Sequence, residues 1–375
     1  MTQLRTVQVL GGGSAGSGTH VRSLASGLVA RGVRVTVCAP AGPAHAYDFP
    51  GAGADFAPVP RRSDPVAVGA LRAVCRGADL VHAHGLHAGV RAAMALGGLR
   101  VPLVVTWHTR ARADGARSHA VNLLERRAAR AAAVVLGTCS ELVDRARSRG
   151  ARDARLAPVA VPLPRVLTGA EALSPDKARA ELGAVGRPVV MSVGPLVPHQ
   201  GYDVLLDAAA GLRDRGPAPG PLVLIAGEGR ERGALQRRID TEELPVRLLG
   251  HRDDIGDLLC AADVAVLPSR WEARSVLAQE ALRRGVPLVA TAVGGVPELV
   301  GDAAELVPYG DAAALAEAVR GLLAAPGRRA ELAEAGRAQA ATWQTEDDTV
   351  AQILSIYDEL VPPLRRVASR GVASR

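Results

Sequence analysis

The chain has 375 residues, 48% of them hydrophobic, roughly two to three times a typical domain and ample for two cores. Its four cysteines, Cys38, Cys75, Cys139 and Cys260, stand far apart with no CxxC pair, which excludes a disulfide or zinc framework and leads us to expect reduced thiols in the cytoplasm. Residues 1–168 hold 22 Arg against 9 Asp and Glu, a balance of +13, while the remainder supplies −6 of the overall +7; that asymmetry points to an anionic partner for the first half, and the 2% aromatic content, with no recognition-helix signature, speaks against nucleic acid.

In chain order, the N-terminal stretch MTQLRTVQVLGGG is too short in its apolar run for a signal peptide, and no run of about 18 apolar residues follows anywhere. Short β-branched runs at 6–10, 34–40, 78–84, 101–108 and 131–139 alternate with helical stretches such as THVRSLASGLVARG. Strands that are apolar throughout and alternate with amphipathic helices form a parallel sheet covered on both faces. The pattern restarts at 187–194, 220–229, 245–250, 262–269 and 286–295, after the proline-rich, aperiodic APVAVPLPRVLTGAEALSPDK. Two doubly wound domains in tandem are expected, with ligands at the carboxyl ends of their strands.

Gly11, Gly13 and Gly16 satisfy GxGxxG between the first strand and the first helix. The acid that would hold a dinucleotide ribose is missing, because the next strand ends in Cys38-Ala39 and no Asp or Glu precedes Asp48. A dehydrogenase is therefore disfavoured, and what remains is either a phosphate at a helix start or a tight turn. His82, His84 and His87 imitate metal-ligand spacing in HAHGLH. In PSRWEARSVLAQEALRRG, Glu272 and Glu280 have seven residues between them. Glu272 is expected in the loop leaving a strand, and Glu280 about five residues into the next helix, roughly 7.5 Å farther along.

That pair, followed by GVPLVATAVGGVPELV, carries a resemblance to the retaining glycosyltransferases of family 4. AGSGTHV, VVTWH, AGEGRERGALQRRI and LLGHRDDIGDLLCAADVAVLPS support it in order, and it runs from the first strand to about Tyr357. The resemblance implies the GT-B fold, two Rossmann-like domains facing across a cleft. It divides the chain into an acceptor-side domain at 1–168, a linker at 169–186, a donor domain at 187–345, a helix at 346–365 returning to the first domain, and a tail at 366–375. It implies a UDP- or GDP-sugar donor with phosphates at the amides of Arg274, Ser275 and Val276. Glu280 would accept from the ribose hydroxyls, Glu272 would lie beside the sugar and its phosphate, and His108 would contact the sugar. Gly16 and Gly194 would lie along the diphosphate. The implied chemistry is front-face transfer of a hexose to a hydroxyl acceptor, with a donor phosphate oxygen taking the proton and no metal or cofactor beyond the nucleotide sugar; similar histidines end the HAH strand in relatives that use no metal for catalysis.

One departure stands out. Where many relatives place an arginine and a lysine on the leaving diphosphate, this chain has Pro195 and Gln200. Either Arg274 or another arginine supplies the charge, or turnover is impaired. The rival functions are accordingly a catalytically impaired homologue acting as a binding partner and a GT-B sugar-nucleotide epimerase. The acceptor is expected on the basic first domain, anionic or lipid-linked, with peripheral contact at the inner face of the membrane.

Overall fold

The computed structural model describes residues 3–11, 15–41, 47–60, 64–110, 116–160, 175–213 and 220–361. The chain divides into two compact units, Met1–Pro162 with Gln344–Arg375, and Leu163–Trp343.

The first unit holds the strands β1 (Arg5–Leu10), β2 (Arg34–Ala39), β3 (Asp55–Pro58), β4 (Leu80–His84), β5 (Leu103–Trp107), β6 (Val134–Gly137) and β7 (Ala154–Leu156). They form one sheet in the order β3-β2-β1-β4-β5-β6-β7, parallel throughout. The order reverses between β1 and β4, where Leu10 pairs with His84. The helix Glu346–Leu360 also belongs here. It starts on a capping box between Thr345 and Asp348, a reciprocal arrangement that satisfies two otherwise orphaned donors. It then buries Val350, Ile353, Ile356 and Tyr357 against Leu24 and Leu28 of the helix Ala15–Ala30. Gly27 makes that approach close: a Cβ there would lie 2.5 Å from Val350 Cγ2.

The second unit holds β8 (Val189–Val193), β9 (Leu222–Ala226), β10 (Val246–Gly250), β11 (Val264–Leu267), β12 (Leu288–Thr291) and β13 (Glu305–Val307), in the order β10-β9-β8-β11-β12-β13. Successive strand residues point to opposite faces, and both faces are packed. Val190, Val223, Ile225, Val264, Val266 and Val289 join one core, whereas Val189, Met191, Leu224, Ala265, Leu267 and Leu288 join the other. This is why the strands read as continuous apolar runs rather than alternating ones.

The expected strands all form. Three further strands, β3, β7 and β13, went unread, and each is an edge strand of three or four residues that is only partly buried. The segment expected as a linker contains the helix Pro175–Glu181, whose Ala178 packs with Leu182 into the second unit's core. Residues 169–174 of that segment and the tail at 366–375 lie outside the described residues. No helix among the described residues is long and apolar enough to cross a membrane. With the returning helix counted, the first unit holds 25 basic and 14 acidic residues, or +11, and the second 20 and 24, or −4.

Candidate active site

In the second sheet the order reverses between β8 and β11, the place where open α/β sheets bind ligands. The loop after β8 delivers Gly194 and Gln200, and the loop after β11 delivers Ser269, Glu272, Arg274 and Ser275. Gln200 Nε2 donates to Glu272 Oε1 at 2.9 Å. Ser269 Oγ lies 3.3 Å from Gln200 Oε1 and 3.4 Å from Glu272 Oε1, so one fully buried hydroxyl ties the two loops together. Gly194 has no room for a side chain, since a Cβ would meet Gln200 Oε1 at 2.9 Å and Tyr202 Oη at 3.0 Å. Burial raises the Tyr202 hydroxyl well above the ordinary phenol range, helped by the charge of Glu272.

The loop carrying Glu272 is set by the strand next to it. Thr291 Oγ1, at the end of β12, donates to Ser269 O at 2.5 Å, and Gly295 N donates to Glu272 O at 2.9 Å. Gly294 makes this approach feasible, with φ of 56° and a would-be Cβ 2.1 Å from Glu272 O; both the left-handed backbone and the contact demand glycine.

Ser275 then caps the helix Val276–Arg284, its Oγ accepting from Ala278 N at 3.3 Å. Val276 is the first helical residue, so amides around it face outward from a helix start. Glu280 is the fifth and is 3% exposed. Its Oε2 accepts from Arg284 Nε at 3.2 Å, while its Oε1 is buried and has no hydrogen-bond partner among the described residues. Such an acceptor carries a desolvation cost of about 1–3 kcal/mol, more when charged, which a ligand hydroxyl relieves. Arg274 lies 6.0 Å over the Trp343 ring and Arg283 5.1 Å, so the indole is held by two guanidinium groups and by its own Nε1, which donates to Leu299 O at 3.1 Å.

The first unit gathers histidines at the equivalent place. His84 ends β4 and His108 follows β5, while His20 comes from the helix Ala15–Ala30. One ring nitrogen of each lies within 4.8 Å of those of the other two. His84 Nδ1 is 3.3 Å from His108 Nε2, and His20 packs edge-on against both rings. Burial pushes His108 down to about 4 and His82 to about 3. It drives His20 and His84 well below their usual range, with the neighbouring imidazoles adding to the effect. Gly16 stands in the first turn of the same helix as His20.

Two family models match the chain: "Glycosyl transferase 4-like domain" over residues 15–162 and "Glycosyl transferases group 1" over residues 175–339. A D-inositol 3-phosphate glycosyltransferase of Salinispora tropica is 33% identical over 330 residues, covering 79% of this chain and 67% of its own. The chain belongs to the family 4 glycosyltransferases. Among solved structures, Anabaena Alr3699/HepE in complex with UDP superposes with a TM-score of 0.78 at 20% identity, covering 95% of this chain and 100% of its own. A glycosyltransferase from Rickettsia africae gives 0.78 at 15%, covering 97% and 100%. The fold is therefore GT-B, and the protein is an enzyme that transfers a glycosyl group.

Of the residues singled out in the glycosyltransferase sequence, Gly194, Gln200, Glu272, Arg274, Ser275, Val276 and Glu280 fall on two neighbouring loops and one helix start. Gly16 and His108 stand in the first unit. The histidine triplet regroups: His87 is exposed on the helix Leu86–Ala95, and His20 and His108 join His84 instead. Sequence reasoning passed over Ser269, Tyr202, Trp343, Gln8 and Tyr357. Gln8 did leave a signal, an amide in the middle of the apolar run TVQVL, because a buried polar group in a central strand needs a partner.

Proposed function

We propose that this glycosyltransferase takes a hexose from a UDP- or GDP-activated donor and passes it, with retention of anomeric configuration, to a hydroxyl acceptor. The observation that carries the donor half is the buried, unpartnered Oε1 of Glu280, an acceptor awaiting a hydroxyl one helical turn behind amides that suit a phosphate. A ribose diol and a diphosphate on one ligand supply both. Solved neighbours in complex with UDP and with UDP-glucose support the same donor class.

Glu272 is oriented by Gln200 and Ser269 and stands beside the sugar and its phosphate. Front-face attack, with a donor phosphate oxygen receiving the acceptor's proton, leaves the protein the tasks of orientation and of stabilising the departing diphosphate. Gln200 gives that diphosphate an amide where many relatives give a cation. The basic first unit suits an anionic acceptor, as do relatives named for D-inositol 3-phosphate; a phosphorylated polyol is the acceptor class to assay first, and a lipid-linked acceptor at the inner membrane face the second.

The test pairs two variants. Glu280→Ala weakens UDP binding in calorimetry by about 1.5–3 kcal/mol, the range for hydrogen bonds to a charged group. Glu272→Gln retains UDP affinity and loses turnover, followed by nucleotide release. Equal loss of UDP affinity in both variants rejects this division of labour.

A further inference from the structure

The first unit contains a chain of buried polar groups that no step of the proposed transfer uses. Tyr357 Oη, on the helix Glu346–Leu360, lies 2.7 Å from His82 Nδ1 and accepts from Gln8 Nε2 at 3.1 Å. His82 Nε2 lies 2.7 Å from Thr106 Oγ1. On the other side of the Gln8 amide, Oε1 lies 3.0 Å from His84 Nε2, and His84 Nδ1 faces His108 Nε2 at 3.3 Å. Gln8, His82 and Tyr357 are fully buried, and His84 nearly so.

The protons of this chain can be placed by elimination. An amide oxygen only accepts, so His84 Nε2 carries the proton that it donates to Gln8. A neutral imidazole carries one proton, which leaves His84 Nδ1 as an acceptor. His108 Nε2 must then donate to it. The hydroxyl of Tyr357, accepting from Gln8, turns its own proton to His82 Nδ1, and His82 Nε2–H donates to Thr106. The amide of Gln8 sets this polarity, presenting Nε2 to Tyr357 and Oε1 to His84; turned over, it would reverse every bond in the chain. Burial favours the neutral form of each ring, consistent with the downward shifts of His84 and His108.

We infer that Tyr357 and Gln8, acting through His84, are positioning residues that hold His108 as its Nε2–H tautomer, so that the ring offers a bare Nδ1 as an acceptor for a sugar hydroxyl. The sugar contact rests on the function proposed above; the tautomer does not. The alternative use of the cluster, a metal held by His20, His84 and His108, fits less well. Zinc at about 2.0–2.1 Å from each nitrogen needs lone pairs on both His84 Nδ1 and His108 Nε2, and the hydrogen bond between them already spends one.

The experiment is long-range proton–nitrogen correlation on full-length protein labelled with ¹⁵N-histidine at neutral pH, without donor, with the His108 signals assigned by their loss in His108→Gln. In the wild type, His108 and His84 show a protonated, pyrrole-type Nε2 and an unprotonated, pyridine-type Nδ1. Gln8→Leu releases both rings into a mixture of tautomers. Gln8→Glu keeps the acceptor for His84 Nε2–H and retains the wild-type pattern at His108, and it carries the test if the leucine variant does not fold. Protonation of His108 at Nδ1 in the wild type, or an unchanged His108 pattern in a folded Gln8→Leu protein, overturns the proposal. So does stoichiometric zinc uptake that shifts His20, His84 and His108 together. A protein that shows the expected tautomers but no UDP-dependent transfer leaves the relay standing and removes only its use on the sugar.

Discussion

The two sheets of this glycosyltransferase place their functional residues alike, beyond the strand ends flanking the reversal of strand order, yet they satisfy them differently. In the second unit, backbone amides and a helix start accompany two carboxylates, Glu272 held by the neutral Gln200 and Ser269 and Glu280 by Arg284, and one buried acceptor on Glu280 is left over. In the first unit, imidazoles, an amide and a phenol consume one another's hydrogen bonds through Gln8, and a single ring stands at the end of the chain. A site with an acceptor left over is built for a ligand's donors. A site closed on itself is built to fix the state of one group.

The contrast predicts different responses to acid, the largest effect expected. His20, His82 and His84 are buried and His108 half-buried in the first unit, whereas the second unit's His199 and His251 are exposed. A histidine whose folded value is depressed binds its proton more readily when unfolded, so its contribution is intact above about pH 6.5 and is lost as pH falls toward the folded value. For fully buried His82, displaced to about 3, the loss is on the order of 1.4 kcal/mol per pH unit below about 6.5. Hydrogen exchange between pH 7 and pH 4.5, corrected for the intrinsic rate, should show protection falling in β1, β4 and β5 well before it falls in β8, β11 and β12. Parallel loss in both sheets breaks the comparison.

The next effect probes the backbone packing of the second site. Gly294→Ala places a Cβ against Glu272 O on a left-handed residue and should reduce stability by on the order of 3 kcal/mol, read by denaturant unfolding. UDP affinity should fall with it, because the loop bearing Glu272 must move. A fully stable alanine variant would show that this loop is not held by its neighbour.

The smallest effect concerns charge. Gln200→Lys replaces a neutral donor beside Glu272 with a cation and should tighten UDP binding by roughly 1–2 kcal/mol, more at low salt. Because Arg274 is engaged over Trp343, the gain should be the same in an Arg274→Ala background, within about 0.5 kcal/mol. A large departure from additivity in that calorimetric cycle would mean that Arg274 does stand in for the lysine of its relatives.

How much was legible follows from where each signal lay. The central strands were readable because burial on both faces turns them into apolar runs. The edge strands β3, β7 and β13 were not, being short and half in solvent. Glu272 and Glu280 were readable as a spacing that the structure carries onto a loop and a helix start. The partners that hold them were not: Ser269 is one small residue in a loop, and Trp343 stands 69 positions from Arg274. The histidine cluster was misgrouped because proximity in HAHGLH is proximity along the chain, while His20 arrives from a helix and His108 from the end of another strand.

Tyr357 and Gln8 are separated by 349 positions, and that separation bears on how the protein is made. A ribosome releases the first sheet long before the helix that completes its core, so the leading unit waits with an unsatisfied glutamine and histidines while the second unit, contiguous from Leu163 to Trp343, has all it needs. Domains ordinarily fold in the order of synthesis; here the later one is free to finish first, and a released chain that ends shortly before Thr345 would hold a native second unit behind an incomplete first.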